Sequence, residues 1–91
     1  MGVMKLAPQD NVAVALRPLR AGETVMLEGT ALTVERDVAL GHKVAACDIA
    51  SGATIVKYNC PIGIATAPIA AGHYVHTHNV KSGYLPTYTL P

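Results

Sequence analysis

The chain has 91 residues, room for one domain and one modest core. Charged residues make up 14% of it, against roughly 25% in an average soluble domain. Apolar residues make up 51%, and with no Phe or Trp the core has to be aliphatic. Net charge is +1, with seven basic and six acidic residues scattered singly, which excludes the basic stripe that a phosphate backbone requires, so nucleic acid is not an expected partner. This much apolar side chain on so small a domain predicts that part of its surface meets another protein, as a subunit or in a homo-oligomer.

Residues 1–10 carry one Lys and no apolar run long enough for an export signal. Asp10-Asn11 reads as a turn. Residues 11–16, N-V-A-V-A-L, alternate as a strand with Val12, Val14 and Leu16 on one face. The segment Leu19-Arg-Ala-Gly22-Glu-Thr-Val25 then introduces a form that returns as Ile49-Ala-Ser-Gly52-Ala-Thr-Ile55 and Ile69-Ala-Ala-Gly72-His-Tyr-Val75. Each copy is an aliphatic residue, two small or polar residues, Gly, two more residues and a β-branched aliphatic. That pattern predicts a turn whose Gly takes φ > 0 and runs straight into a strand. Strand 24–27 leads through Glu28-Gly29 into residues 31–38 as a hairpin. Strands are expected at 43–46, 54–57, 63–67 and 74–80, with a short helical turn over 46–49.

No stretch of ten residues has helical periodicity with capping residues, so the expected class is all-β, a small barrel or clip-like domain with short strands and Gly turns. Residues 58–80 hold no Asp, Glu, Lys or Arg, but Pro61, Pro68, Gly63, Gly72, Asn59 and three His argue against a membrane span. The expected location is therefore the cytoplasm, with Cys47 and Cys60 as buried free thiols. Residues 1–81 form the domain. Residues 82–91, with Tyr84, Leu85, Tyr88 and Leu90, read as an extended arm that docks on a partner chain.

Three of the four His fall between positions 73 and 78. In a strand, His76 and His78 would face the same way, about 7 Å apart at Cα, and could converge on one metal or one carboxylate. They equally suit a polar strand surface, and two ligands do not complete a metal site. His42 and Lys43 follow Gly41, where a turn lets the backbone approach a ligand; His suits proton transfer and Lys suits carboxylate binding, yet an ordinary turn with a solvated Lys fits as well. Lys57 ends an apolar strand and either faces a site or snorkels to water.

Several of these segments together resemble the SAF domain of the altronate and galactarate dehydratase family. They are Asp10-Asn-Val-Ala13, Gly41-His-Lys43, Lys57-Tyr58, Pro61-Ile-Gly63 and His76-Thr-His-Asn-Val80, in order from about Leu6 to Lys81. The resemblance implies a β-clip fold and a stand-alone small subunit that works with a large dehydratase subunit. The implied reaction takes water from a small sugar acid to leave a 2-keto-3-deoxy acid. A divalent metal, Fe2+ or else Mn2+, would be held mostly by the partner. His76 and His78 would serve as metal ligands or acid–base groups, with His42, Lys43, Lys57 and Asn79 contacting the substrate. The chain is also similar to the small subunit of sulfolactate sulfo-lyase, and a non-catalytic cap or binding module is the third reading. Asn59 stands where relatives tend to have Gly after Lys-Tyr, and Asn tolerates φ > 0 better than most residues.

Overall fold

The structure, a computed structural model, describes residues 2–81; the expected arm at 82–91 lies outside them. Nine strands and no helix form among the described residues: β1 (Val3–Met4), β2 (Val12–Ala15), β3 (Thr24–Leu27), β4 (Thr30–Thr33), β5 (Lys43–Ala45), β6 (Thr54–Lys57), β7 (Cys60–Ala65), β8 (Tyr74–Val75) and β9 (Val80–Lys81). They make three small sheets, ordered β1-β2-β5-β8, β3-β4 and β6-β7-β9. Every pairing is antiparallel. The all-β expectation holds, and no helix among these residues is long and apolar enough to cross a membrane.

The turn-to-strand motif occurs four times in space. Gly22, Gly41, Gly52 and Gly72 all sit at φ of 85–86°. In each copy the next residue's amide donates to the carbonyl three residues back: Glu23 to Arg20, His42 to Ala39, Ala53 to Ala50 and His73 to Ala70, at 2.9–3.0 Å. This is a type II turn, which needs positive φ at its third residue. The additional copy is Val38-Ala-Leu-Gly41-His-Lys-Val44, masked in the sequence by Leu40 where the other copies are small or polar. The copies pair through bridges at Leu19–Val38 and Ile49–Ile69. Each pair encloses one hairpin, β3–β4 or β6–β7. Both hairpins close with two residues at positive φ, Glu28-Gly29 and Tyr58-Asn59, the signature of a type I′ turn. The domain is thus two versions of one unit, the second longer by a residue at the β-bulge between Ile55 and Val56.

Each unit has its own core. Leu19, Val25, Leu32, Val34, Val38 and Val44 anchor one; Ile49, Ile55, Ala65, Ile69 and Val75 anchor the other. Strand β2 lies between them, sending Ala13 and Ala15 into the first core and Val12 into the second. That corrects the expected apolar face of Val12, Val14 and Leu16: Leu16 is 43% exposed. A strand covered on both sides has no solvent face for alternation to report.

Other boundaries shift for local reasons. β4 stops at Thr33 because Val34 turns to pair across the Gly22 turn, its amide donating to the Glu23 carbonyl and its carbonyl accepting from Gly22. Ile49 is fixed by Ile69, so no helical turn forms at 46–49. Cys47 and Cys60 are free, as expected, but exposed rather than buried, since one sits in a bend and the other directly after the hairpin turn.

Asp10 and Asn11 do more than turn the chain. Asp10 is buried, and its carboxylate accepts from the amides of Ala7, Tyr58 and Asn59 at 2.8–3.0 Å. Asn11 accepts from the Val56 amide and donates to the Thr54 carbonyl, both at 2.8 Å. Together they hold the Tyr58-Asn59 turn, in which Tyr58 adopts φ 57° without glycine's freedom. Burial pushes the Asp10 carboxyl up, but the amides of Asn59, Tyr58 and Ala7 outweigh it and hold it below its usual value. A carboxyl with a depressed folded pKa contributes stability above its unfolded pKa of about 3.9, and that contribution is lost as pH falls through the folded value. Asp10→Ala is therefore expected to lower the thermal midpoint at pH 7 and to flatten its decline below pH 4; thermal scans of both proteins from about pH 2 to 7 read both effects.

Candidate functional site

The duplication brings two equivalent segments, Gly41-His-Lys-Val44 and Gly72-His-Tyr-Val75, side by side as β5 and β8, with Lys43 opposite Val75 and Val44 opposite Tyr74. Tyr74 becomes the centre of a ring cluster. Its hydroxyl lies 2.5 Å from His42 Nδ1. The His42 ring stacks on Tyr74 at 5.8 Å and on His76 at 5.6 Å, while Tyr74 also stacks on His76 at 5.4 Å and on His78 at 5.8 Å. The Arg36 guanidinium carbon lies 4.8 Å from the Tyr74 ring centre, within cation–π range.

His76 and His78 do not occupy the expected strand at 74–80. β8 ends at Val75, and residues 76–79 form a turn closed by the Asn79 amide donating to the His76 carbonyl at 3.1 Å. Asn79, nearly fully buried, causes this: its side-chain oxygen accepts from the His76 amide at 2.9 Å and its NH2 donates to the Tyr74 carbonyl at 2.8 Å. An Asx side chain that takes up backbone partners competes with strand pairing. The same-face argument therefore does not apply to the His pair, although both rings still reach Tyr74.

Lys43 and His76 line a cleft of about 270 Å³ with Thr77 and Lys81 at its polar rim and Ile62, Val75 and Val80 beneath. Burial, followed by repulsion from Lys57, holds the Lys43 ammonium below the usual lysine pKa. Lys57 itself lies 5.1 Å from the Tyr58 ring and reaches Lys43 through its charge. His42 faces a neighbouring depression of about 420 Å³, on the side of Arg36 and Tyr74. Of the residues singled out from sequence, the structure thus gathers His42, His76 and His78 around Tyr74, sets Lys43 in the cleft that His76 also lines, keeps Lys57 within electrostatic reach of Lys43, and places Asn79 behind the His-bearing turn. Tyr74, Lys81 and Arg36 were not expected. The signal for Tyr74 was available in the repeat, where G-H-Y-V matches G-H-K-V.

Among the described residues no three His, Cys, Asp or Glu side chains gather closely enough to hold a metal ion. A metal held by His76 and His78 would therefore take its remaining ligands from outside the described residues. What the cleft offers is a cationic, partly desolvated wall over an aliphatic floor, the environment in which a carboxylate is bound most strongly.

Known proteins are similar to this chain in sequence. The chain is 49% identical over 82 residues to the altronate dehydratase of Escherichia coli (strain K12), covering 90% of this chain and 17% of that protein. It is 40% identical over 79 residues to the altronate dehydratase of Bacillus subtilis (strain 168), covering 87% of this chain and 16% of that protein. It is 41% identical over 51 residues to (2R)-sulfolactate sulfo-lyase subunit alpha of Paracoccus pantotrophus, covering 56% of this chain and 76% of that subunit. The chain thus spans about a sixth of the length of the altronate dehydratases it matches. The altronate/galactarate dehydratase SAF domain matches over residues 1–83, nearly the whole sequence. The chain belongs to the altronate/galactarate dehydratase SAF domain family.

Proposed function

We propose that this chain is the small subunit of a hydroxy-acid lyase, an altronate-type dehydratase that turns a sugar acid into a 2-keto-3-deoxy acid together with a large partner subunit. The observation that carries the proposal is the Lys43–His76–Lys81 cleft beside the His42–Tyr74 pair, which joins carboxylate-binding and proton-transfer groups in one place. In the reaction a base takes the proton next to the carboxylate, the neighbouring hydroxyl leaves as water after accepting a proton, and the resulting enol tautomerises to the ketone. Lys43 and Lys81 hold the carboxylate, and the imidazoles of His76 and His78 exchange protons with the substrate. The divalent metal implied for this chemistry, ferrous iron or manganese, takes its ligands mainly from the partner chain.

The test is co-expression with a large dehydratase subunit, followed by an assay for 2-keto-3-deoxy acid from altronate, galactarate and related acids. Turnover that needs both chains supports the proposal; no complex between them would overturn it. A second reading is favoured by one observation, the 76% of a sulfo-lyase alpha subunit that aligns here. In that case a carbon–sulfur bond breaks and sulfite leaves, so a complex that is silent on sugar acids and active on sulfolactate identifies it.

Lys43→Met in the active complex is expected to raise KM for the acid about 10- to 100-fold with less effect on kcat, the loss of one charge-assisted hydrogen bond. Because the Lys43 pKa is depressed, its charge is lost at lower pH than that of an ordinary lysine. KM in the parent enzyme should then climb with rising pH before lysines in general titrate, and the Lys43→Met enzyme should lack that rise. Steady-state kinetics across alkaline pH measure both.

A further inference from the structure

The internal duplication provides each half with the same surface depression, and the two have diverged in charge. The first, about 420 Å³, lies over the Leu19–Val38 bridge and is lined by Arg20, Arg36, Asp37 and His42. The second, about 520 Å³, lies over the Ile49–Ile69 bridge and ends on His73, the counterpart of His42. Aligning the bridges puts Ala50 at the place of Arg20 and Ala67 at the place of Arg36. The second half folds without either guanidinium, so the fold does not require them.

The acids at the first depression have partners of their own, although Asp37 is part of the lining and Glu23 lies within electrostatic reach of Arg20. Asp37 accepts from the Ala21 amide at 2.9 Å, as Asp48 does from Ala71 in the other half. Glu35 accepts from the Tyr74 amide at 2.9 Å and lies 3.9 Å from His73. Glu23 pairs with Arg17 and accepts from the Arg20 amide. Lys5–Glu28 completes the ion pairs among the described residues, and neither Arg20 nor Arg36 takes part in one. Arg36 is oriented by the Tyr74 ring instead of by a carboxylate, and a stacked guanidinium keeps its N–H edge open for a planar anion. His42 is held on the same wall by the Tyr74 hydroxyl.

From this we infer that the depression lined by Arg20, Arg36 and His42 is a binding site for an oxyanion, a carboxylate or phosphate group. It lies across the His42–Tyr74–His76 ring wall from the Lys43 cleft and stands independently of the lyase reading. Two sources present that chemistry: the second carboxylate of a dicarboxylic acid whose first end occupies the Lys43 cleft, or a separate anion such as phosphate.

The test is an NMR titration of the full chain, following backbone amides and arginine Nε groups, with inorganic phosphate and with galactarate at constant ionic strength. Saturable shifts at Arg20, Arg36 and His42, with Ala50, Ala70 and His73 silent, are expected. Arg20→Ala leaves the Arg36–Tyr74 stack in place and should weaken binding about tenfold, and Arg20→Ala with Arg36→Ala should abolish it. Galactarate that also shifts Thr77 and Lys81 in the same one-to-one event supports the bridging dicarboxylate; phosphate alone at the arginines supports the separate anion. Shifts that never saturate, that are equal in both depressions, or that survive the double substitution in a protein whose spectrum remains folded would overturn the site. No large subunit or turnover is involved, so failure here leaves the lyase proposal standing, and the reverse also holds.

Discussion

The double substitution His76→Ala, His78→Ala is expected to lower kcat of the assembled lyase by about 10²- to 10⁴-fold, the usual worth of positioned acid–base groups, without disturbing assembly. Folding should be spared because both side chains are exposed and the turn beneath them is held by Asn79 and by backbone groups. Asn79→Ala is the informative companion: it frees the His76 amide and the Tyr74 carbonyl and should cost both stability and rate, while leaving the imidazoles present. Single-turnover assays on co-purified complexes, with circular dichroism on each variant, separate the two. If the double variant turns over like the parent in an intact complex, the domain is a non-catalytic cap and the proton-transfer role assigned to the pair is wrong.

Gly72→Ala should be the most damaging of the glycine substitutions at positive φ, at about 3–5 kcal/mol, a large share of the 5–15 kcal/mol that holds a typical domain together. Two costs combine at this position. The residue sits at φ 86°, which an L side chain adopts at a cost of about 1–2 kcal/mol. A Cβ there would also lie 2.5 Å from the Thr33 carbonyl oxygen and 3.1 Å from the Thr33 carbon and nitrogen, all backbone atoms that cannot swing away. Gly52 has the same φ, but a Cβ added there would meet nothing within 4 Å, so Gly52→Ala isolates the first cost at about 1–2 kcal/mol. Urea unfolding of both variants checks the difference, and equal losses would mean that the Thr33 contact yields. The position has structural weight because it is where the turn of the second unit rests against β4 of the first.

Much of the architecture was legible in the chain because its determinants are local. Type II turns need Gly at one place, so Gly22, Gly52 and Gly72 announced themselves, as did the Glu28-Gly29 hairpin. The absence of helix followed from the lack of a 3.6-residue period. Alternation misled at residues 12–16, because a strand buried between two cores gains apolar contacts on both sides. The strand expected at 74–80 failed at Asn79, whose side chain makes the hydrogen bonds a neighbouring strand would otherwise make.

The candidate site divides the same way. His42, Lys43, Lys57, His76, His78 and Asn79 could be picked out as residue types, and the family resemblance strengthened that choice. Their arrangement could not. His42 and Tyr74 stand 32 positions apart and meet only because β5 pairs with β8, and Lys57 acts on Lys43 across the join between the two units. By itself the sequence determined the strand-and-turn character of the domain, its aliphatic core and its family, since these depend on composition and on spacings of a few residues. Only the tertiary structure decided which groups share a cleft, which lysine loses part of its preference for charge, and that two arginines stand on one of two otherwise equivalent surfaces. Those properties depend on distances between segments far apart in the chain and on which groups are shielded from water.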